Sequence, residues 1–65
     1  MEQKFNRMEK LHALIREKKT GSPKKLAERL GVNRTMLYLL IDELSSITVA
    51  IGYSRKFETF YYVNN

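Results

Sequence analysis

The chain has 65 residues, with 12 basic and seven acidic side chains and no cysteine. This length predicts a single domain over residues 1–65 that buries only about 60% of its unfolded surface, so association with a second chain would add stability. Without cysteine the chain has neither disulfides nor thiolate metal ligands. No apolar run reaches the roughly 18 residues that span a membrane, and the charged N-terminus lacks a signal-peptide core. We therefore expect a soluble, cytoplasmic protein with no membrane partner.

The first third of the chain shows helical periodicity. Apolar side chains recur there at spacings of three and four, which predicts an amphipathic helix over residues 3–18. They are Phe5, Met8, Leu11, Leu14 and Ile15. Gly21 then interrupts the pattern.

Two further helices are predicted, over residues 23–30 and 34–45. Ser22 can cap the first of them and Pro23 fits its first turn, because proline has no N–H to leave unpaired. Gly31 ends that helix and Asn33 can cap the next one. The predicted buried positions are Leu26, Ala27 and Leu30, followed by Leu37, Leu40, Ile41 and Leu44.

The C-terminal part changes to β-branched and aromatic residues. "ITVAIGY" and "TFYYV" read as strands, over about 47–53 and 59–63, and the polar stretch 54–58 between them reads as a turn. With a period of two, Val49, Ile51 and Tyr53 share one face of the first strand. The predicted fold is therefore mainly α with a C-terminal β-hairpin, in the order of a winged helix-turn-helix.

Basic charge is concentrated in residues 16–34. This segment holds seven Lys or Arg and two Glu, a net charge of +5 (seven minus two), which equals the net charge of the whole chain. A basic segment of this density suits a polyanion such as nucleic acid. The alternative is that these charges form an ordinary solvated face of small helices.

The segment "KKLAERLGVNRTMLYLLIDEL" has the steric requirements of two helices joined by a tight turn. Ala27 allows close helix approach, Gly31 permits the turn, Val32 fills the space beneath it, and Leu37 seats the following helix. The chain resembles the small winged helix-turn-helix domains of bacterial transcription regulators, of the DeoR-like kind and the stand-alone Bacteroides-type kind. The similarity covers "LIREKKTGSPKKLAERLGVNRTMLYLLIDEL" and "VAIGYSRKFETFYYV". It implies that helix 34–45 enters the major groove of double-stranded DNA and that wing 54–58 follows its backbone or minor groove.

Eight residues are candidate DNA contacts. Arg34 can donate two bonds to guanine, and Asn33 could pair with adenine or a phosphate instead of capping. Exposed cations and the helix N-termini suit phosphates. The base-reading candidates are Asn33, Arg34, Thr35 and Tyr38, and the backbone-gripping candidates are Lys24, Lys25, Arg55 and Lys56.

Helix 34–45 departs from the family pattern at Met36 and Leu39, where polar or basic residues are usual. Both are predicted to face outward, and Asp42 and Glu43 beyond them would repel phosphate. In one interpretation the two apolar side chains pack on the hairpin or contact thymine methyls. In the other interpretation they form a protein interface for a homodimer or a partner regulator, and the chain itself does not bind DNA.

Other candidates are weaker. His12 is the only histidine, and without cysteine or suitably spaced acids it cannot complete a metal site. Asp42 and Glu43 point about 100° apart on a helix, so they do not form a catalytic pair. We expect no enzyme activity, no cofactor, no metal and no small-molecule effector site. Phe57, in the turn, should be exposed and is a candidate for single-strand base stacking or for a dimer contact.

Overall fold

The computed structural model describes the backbone of residues 3–63 and the side chains of residues 6–63, so both ends of the predicted domain 1–65 lie outside the described residues. The elements are α1 Gln3–Arg16, α2 Pro23–Leu30, α3 Arg34–Ile47, β1 Ile51–Ser54 and β2 Thr59–Tyr62. The predicted order of three helices and an antiparallel hairpin is confirmed. No helix within residues 3–63 is long and apolar enough to cross a bilayer.

Local capping defines α2 and the start of α3, as predicted. The Ser22 hydroxyl accepts a hydrogen bond from the Lys25 N–H at 3.3 Å. Gly31 ends α2 in the left-handed conformation, with φ of 71°. The Asn33 Oδ1 then accepts from the Met36 N–H at 2.8 Å, so the turn between the two helices is closed by the Gly31 backbone on one side and by the Asn33 side chain on the other.

The core lies where the apolar stripes of the three helices meet the hairpin. Every position predicted to be buried on α2 and α3 is buried. On α1, Leu11 and Ile15 are buried, Met8 and Leu14 are half-buried against the core, and the side chain of Phe5 is outside the described ones. Among residues 6–63 the buried apolar residues are Leu11, Ile15, Leu26, Ala27, Leu30, Leu37, Leu40, Ile41, Leu44 and Phe60.

Helix α1 ends at Arg16, two residues before the predicted boundary. Lys18 adopts a left-handed conformation with φ of 58°, and the Lys19 N–H donates to the Leu14 carbonyl at 3.0 Å. This bond closes the last turn of the helix, and the left-handed position before it is occupied by Lys18 rather than by the glycine that is usual there.

The boundary between α3 and β1 corrects the sequence prediction. Helix α3 continues to Ile47 instead of ending at residue 45, and β1 begins at Ile51 instead of residue 47. Ser46 and Thr48 explain the difference, because their hydroxyls donate to the carbonyls of Glu43 at 2.7 Å and Leu44 at 2.6 Å. These bonds satisfy carbonyls at the helix end and favour the helix over a strand.

The hairpin has a well-defined register. Its Cα pairs run from Ile51 opposite Tyr62 to Ser54 opposite Thr59, so Ser54 belongs to the strand rather than to the predicted loop. Val49, predicted to be in the strand, lies outside it and is exposed. The inner face carries Ile51, Tyr53, Phe60 and Tyr62 against the core. The Tyr53 and Phe60 rings, directly opposite one another, lie 4.8 Å apart between centroids, which is a stabilising cross-strand pair.

A buried pair of threonines joins the hairpin to the loop between α1 and α2. The Thr20 N–H donates to the Thr59 Oγ1 at 3.3 Å, and the Phe60 N–H donates to the Thr20 Oγ1 at 2.8 Å. Both side chains are almost fully buried, so leaving these groups unpaired would be costly. The turn end of the hairpin is therefore held against the segment that leads into α2.

Candidate nucleic-acid interface

The first turns of α3 present three of the predicted base-reading residues to solvent. Arg34, Thr35 and Tyr38 are all exposed. Asn33 caps the helix through its Oδ1, so a two-bond pairing with adenine, which uses both amide atoms, would require the cap to open. Its amide N–H groups remain suitable for a phosphate or a base acceptor.

The N-terminal turns of α2 and α3 carry cations and no acidic residue. Lys24 and Lys25 are exposed in the first turn of α2, and Arg34 opens α3. Because the helix dipole makes a cation unfavourable at an N-terminus, these residues cost stability where they stand. An anion bound at the N-terminus of α2 or α3 would offset that cost and would also accept hydrogen bonds from the free backbone N–H groups.

The hairpin turn forms a third basic element. Its residues 55–58 are exposed and include Arg55 and Lys56, as predicted. The Lys56 Nζ lies 5.5 Å from the centroid of the Phe57 ring, within cation–π range. The Phe57 N–H donates to the Ser54 Oγ at 3.2 Å, which fixes the start of the turn.

Two of these three elements are brought together by the loop between α1 and α2. A Cβ added at Gly21 would lie 3.4 Å from the Lys25 Cβ, and the neighbouring Thr20 bonds to Thr59 at the turn end of the hairpin. The hairpin and the start of α2 therefore share one side of the molecule. Arg34 lies beyond the other end of α2, an eight-residue helix that is about 12 Å long.

Some basic side chains serve the fold, which the sequence reasoning missed. The Arg29 guanidinium donates to the Lys19 carbonyl at 3.2 Å. From α1, Arg7 and Lys10 donate to the carbonyls of Leu30 at 3.1 Å and Arg29 at 3.2 Å, at the end of α2. The sequence carried no clear signal for these contacts, because the amphipathic pattern does not show which helix end α1 meets.

Met36 and Leu39 face solvent, as predicted, with 43% and 56% of their surfaces exposed. They line a groove between α1 and α3. The other lining residues are Arg7, Leu40, Asp42 and Glu43, so no hairpin residue contributes to it. Met36 and Leu39 therefore lie exposed beside α1 and do not pack on the hairpin, and contact with thymine methyls stays a prediction.

Comparison with protein-family models, with curated proteins and with solved structures found no match to this chain. The resemblance to DeoR-like winged helix-turn-helix regulators thus depends on the sequence motif and the order of elements alone. A function has to be proposed from the residues of the chain itself.

His12 links α1 to the hairpin. Its Nδ1 lies 2.6 Å from the Tyr62 Oη, and the two rings are 5.5 Å apart between centroids. Burial raises the pKa of Tyr62 above its usual value of 10.0, although a hydrogen bond with Thr48 and the charge of Arg16 act in the opposite direction. Tyr62 therefore stays protonated at neutral pH. Its contact with His12 joins the hairpin to α1.

Proposed function

We propose that this chain is a winged helix-turn-helix domain that binds duplex DNA, as a transcriptional regulator or an accessory DNA-binding factor. Helix α3 would enter the major groove, and the hairpin turn would act as the wing. The observation that carries the proposal is the set of exposed residues Arg34, Thr35 and Tyr38 on the first turns of α3. They directly follow the turn that Asn33 caps. The two other basic elements, the first turn of α2 and the hairpin turn, lie on one side of the molecule.

The chemistry of these side chains separates those that could read bases from those that could contact phosphates. Arg34 has the planar fork that reads guanine, while Thr35 and Tyr38 can reach base edges or nearby phosphates. The four lysines and arginines of the α2 N-terminus and the hairpin turn would neutralise phosphates, which positions the domain without reading sequence. They are Lys24, Lys25, Arg55 and Lys56.

Few side chains of α3 can contact base edges, so the sequence specificity of a single domain is limited. Beyond Tyr38 the outward face of α3 carries Leu39 and then Asp42, neither of which grips phosphate. A single domain with so few base contacts reaches useful specificity by binding two half-sites as a dimer or by acting with a partner protein.

Duplex binding should show a strong dependence on salt. We expect the logarithm of the affinity for a mixed-sequence duplex to fall with a slope of roughly −3 to −5 against the logarithm of salt concentration, because four or five engaged phosphates contribute about −0.9 each. Fluorescence anisotropy across a salt series measures this slope. No binding at low salt would reject the proposal and leave the basic segment as a solvated face.

The groove beside Met36 and Leu39 favours a second candidate function. Met36 and Leu39 are exposed side by side on one helix, and contiguous exposed apolar surface often marks a protein interaction site. In this alternative the chain is an interaction or dimerisation module that uses this face, with no DNA binding of its own.

Leu39→Arg tests the second candidate, with Ile47→Arg as a matched control. Ile47 is also on α3 and is 73% exposed, but it does not line the groove. If the groove is a dimer seam, Leu39→Arg should convert a dimer to a monomer in analytical ultracentrifugation, because a long charged side chain would replace an apolar contact in the seam, while Ile47→Arg stays dimeric. This candidate function would be rejected if the wild-type chain is monomeric and Leu39→Arg binds DNA more tightly than the wild type does.

A further inference from the structure

The outer face of the hairpin, opposite the core, holds an open cleft whose lining residues are not among the proposed duplex contacts. It is lined by Lys18, Ser54, Phe57, Thr59 and Tyr61. Ser54, Thr59 and Tyr61 share this face because strand side chains alternate, and Lys18 reaches it from the end of α1. The cleft thus lies between the hairpin and the loop that Thr20 attaches to it.

Two aromatic rings border this cleft. Phe57 is 72% exposed, far more than an aromatic side chain in a packed face. Tyr61 lies across its cross-strand partner Gly52, since a Cβ added to that glycine would sit only 3.1 Å from the tyrosine Cζ and Oη. The glycine therefore lets the Tyr61 ring lie against the sheet, half-buried, and the ring is held in place by the backbone beneath it.

The charge around the rings is mainly positive. Lys18 is the one charged residue among those lining the cleft, and Lys56 stands over Phe57. Arg55 adds a further cation in the same turn, where Glu58 is the one acid. Rings flanked by cations match a nucleotide, which offers a flat base beside a phosphate. They do not match an acidic peptide, which has charge but no comparable flat face.

We propose that this cleft binds an unpaired nucleotide of a single-stranded or locally opened nucleic acid. The base would stack on Phe57 and Tyr61, and the flanking phosphates would contact Lys18 and Lys56. The base must be unpaired, because in an intact duplex both faces of each base are covered by its neighbours. This site shares Lys56 with the proposed duplex contacts, but its stacking rings are separate from the α3 surface and do not depend on it.

A tryptophan reporter tests the stacking directly. The chain contains no tryptophan, so Phe57→Trp places a single indole at the cleft in an exposed position that does not disturb the core. Titration with an oligothymidylate of about twelve nucleotides should quench the indole fluorescence, as expected when bases stack on an aromatic ring. Absence of quenching together with absence of binding would overturn the inference.

Affinity measurements separate this site from duplex binding. Phe57→Ala should weaken oligothymidylate binding by about 5- to 150-fold and change duplex binding by less than about twofold. Ile47→Ala, which removes an equally exposed apolar side chain outside the cleft, should change neither. Lys18→Gln should lower the salt dependence of oligothymidylate binding more than Lys19→Gln does, because Lys19 does not line the cleft.

The outcomes are distinct for the two proposals. If Phe57→Ala weakens duplex and oligothymidylate binding equally, the cleft is only part of the wing contact and the inference is wrong. If oligothymidylate binds through Phe57 and the duplex does not bind, the inference stands and the proposed duplex function fails.

Discussion

Leu37→Ala should strongly destabilise the protein, whereas Leu39→Ala should be nearly neutral. The two leucines lie two residues apart on α3, but Leu37 is completely buried and Leu39 is 56% exposed. Since both changes have the same effect on helix propensity, the difference between them isolates burial. Removing a buried leucine side chain costs about 2–5 kcal/mol, which includes the cavity that it leaves.

That cost is large for a chain of this length. At about 0.05–0.15 kcal/mol per residue, the free energy of unfolding of 65 residues is only about 3–10 kcal/mol. Urea titrations followed by far-UV circular dichroism should therefore give a much lower midpoint for Leu37→Ala than for the wild type. Equal midpoints for the two variants would mean that α3 presents a different face to the core.

The local features of the fold could be predicted because each depends on neighbouring residues. Ser22, Gly31 and Asn33 act within three or four positions of themselves, and the apolar stripes repeat along each helix. The end of α3 could not be predicted from the same signals. Ile47, Thr48 and Val49 have strand propensity, but the hydroxyls of Ser46 and Thr48 bond to the carbonyls at the end of the helix.

Long-range contacts were beyond sequence reasoning. Thr20 and Thr59 are 39 positions apart, and no pattern in the sequence around either residue predicts that they form a buried hydrogen-bonded pair. The roles of Arg7 and Lys10 at the end of α2 are similar, since they depend on how α1 crosses that helix. For the candidate interface, the exposure of Arg34, Met36 and Leu39 followed from helical period alone, whereas the cleft beside Phe57 required the hairpin register.

Arg34→Ala should separate binding from stability. Arg34 is a cation at the first position of α3, so the helix dipole disfavours it, and alanine is also the better helix former. The variant should therefore be as stable as the wild type or slightly more so. Its affinity for a preferred duplex should nevertheless fall by about 5- to 150-fold, the equivalent of the roughly 1–3 kcal/mol that a two-bond arginine–guanine contact contributes.

Arg34→Lys and a Lys24→Gln, Lys25→Gln double variant complete this test. Lysine keeps the charge but lacks the planar fork, so Arg34→Lys should retain the salt slope and lose preference at one base pair. The double variant should weaken binding to all sequences alike and reduce the salt slope by about 2, which corresponds to two lost phosphate contacts. A site selected from random duplexes by the wild type, then titrated with each variant, measures both effects. If Arg34→Ala kept the full base preference of the wild type, α3 would not be the element that reads DNA, and the exposed first turn would need another explanation, such as a phosphate contact.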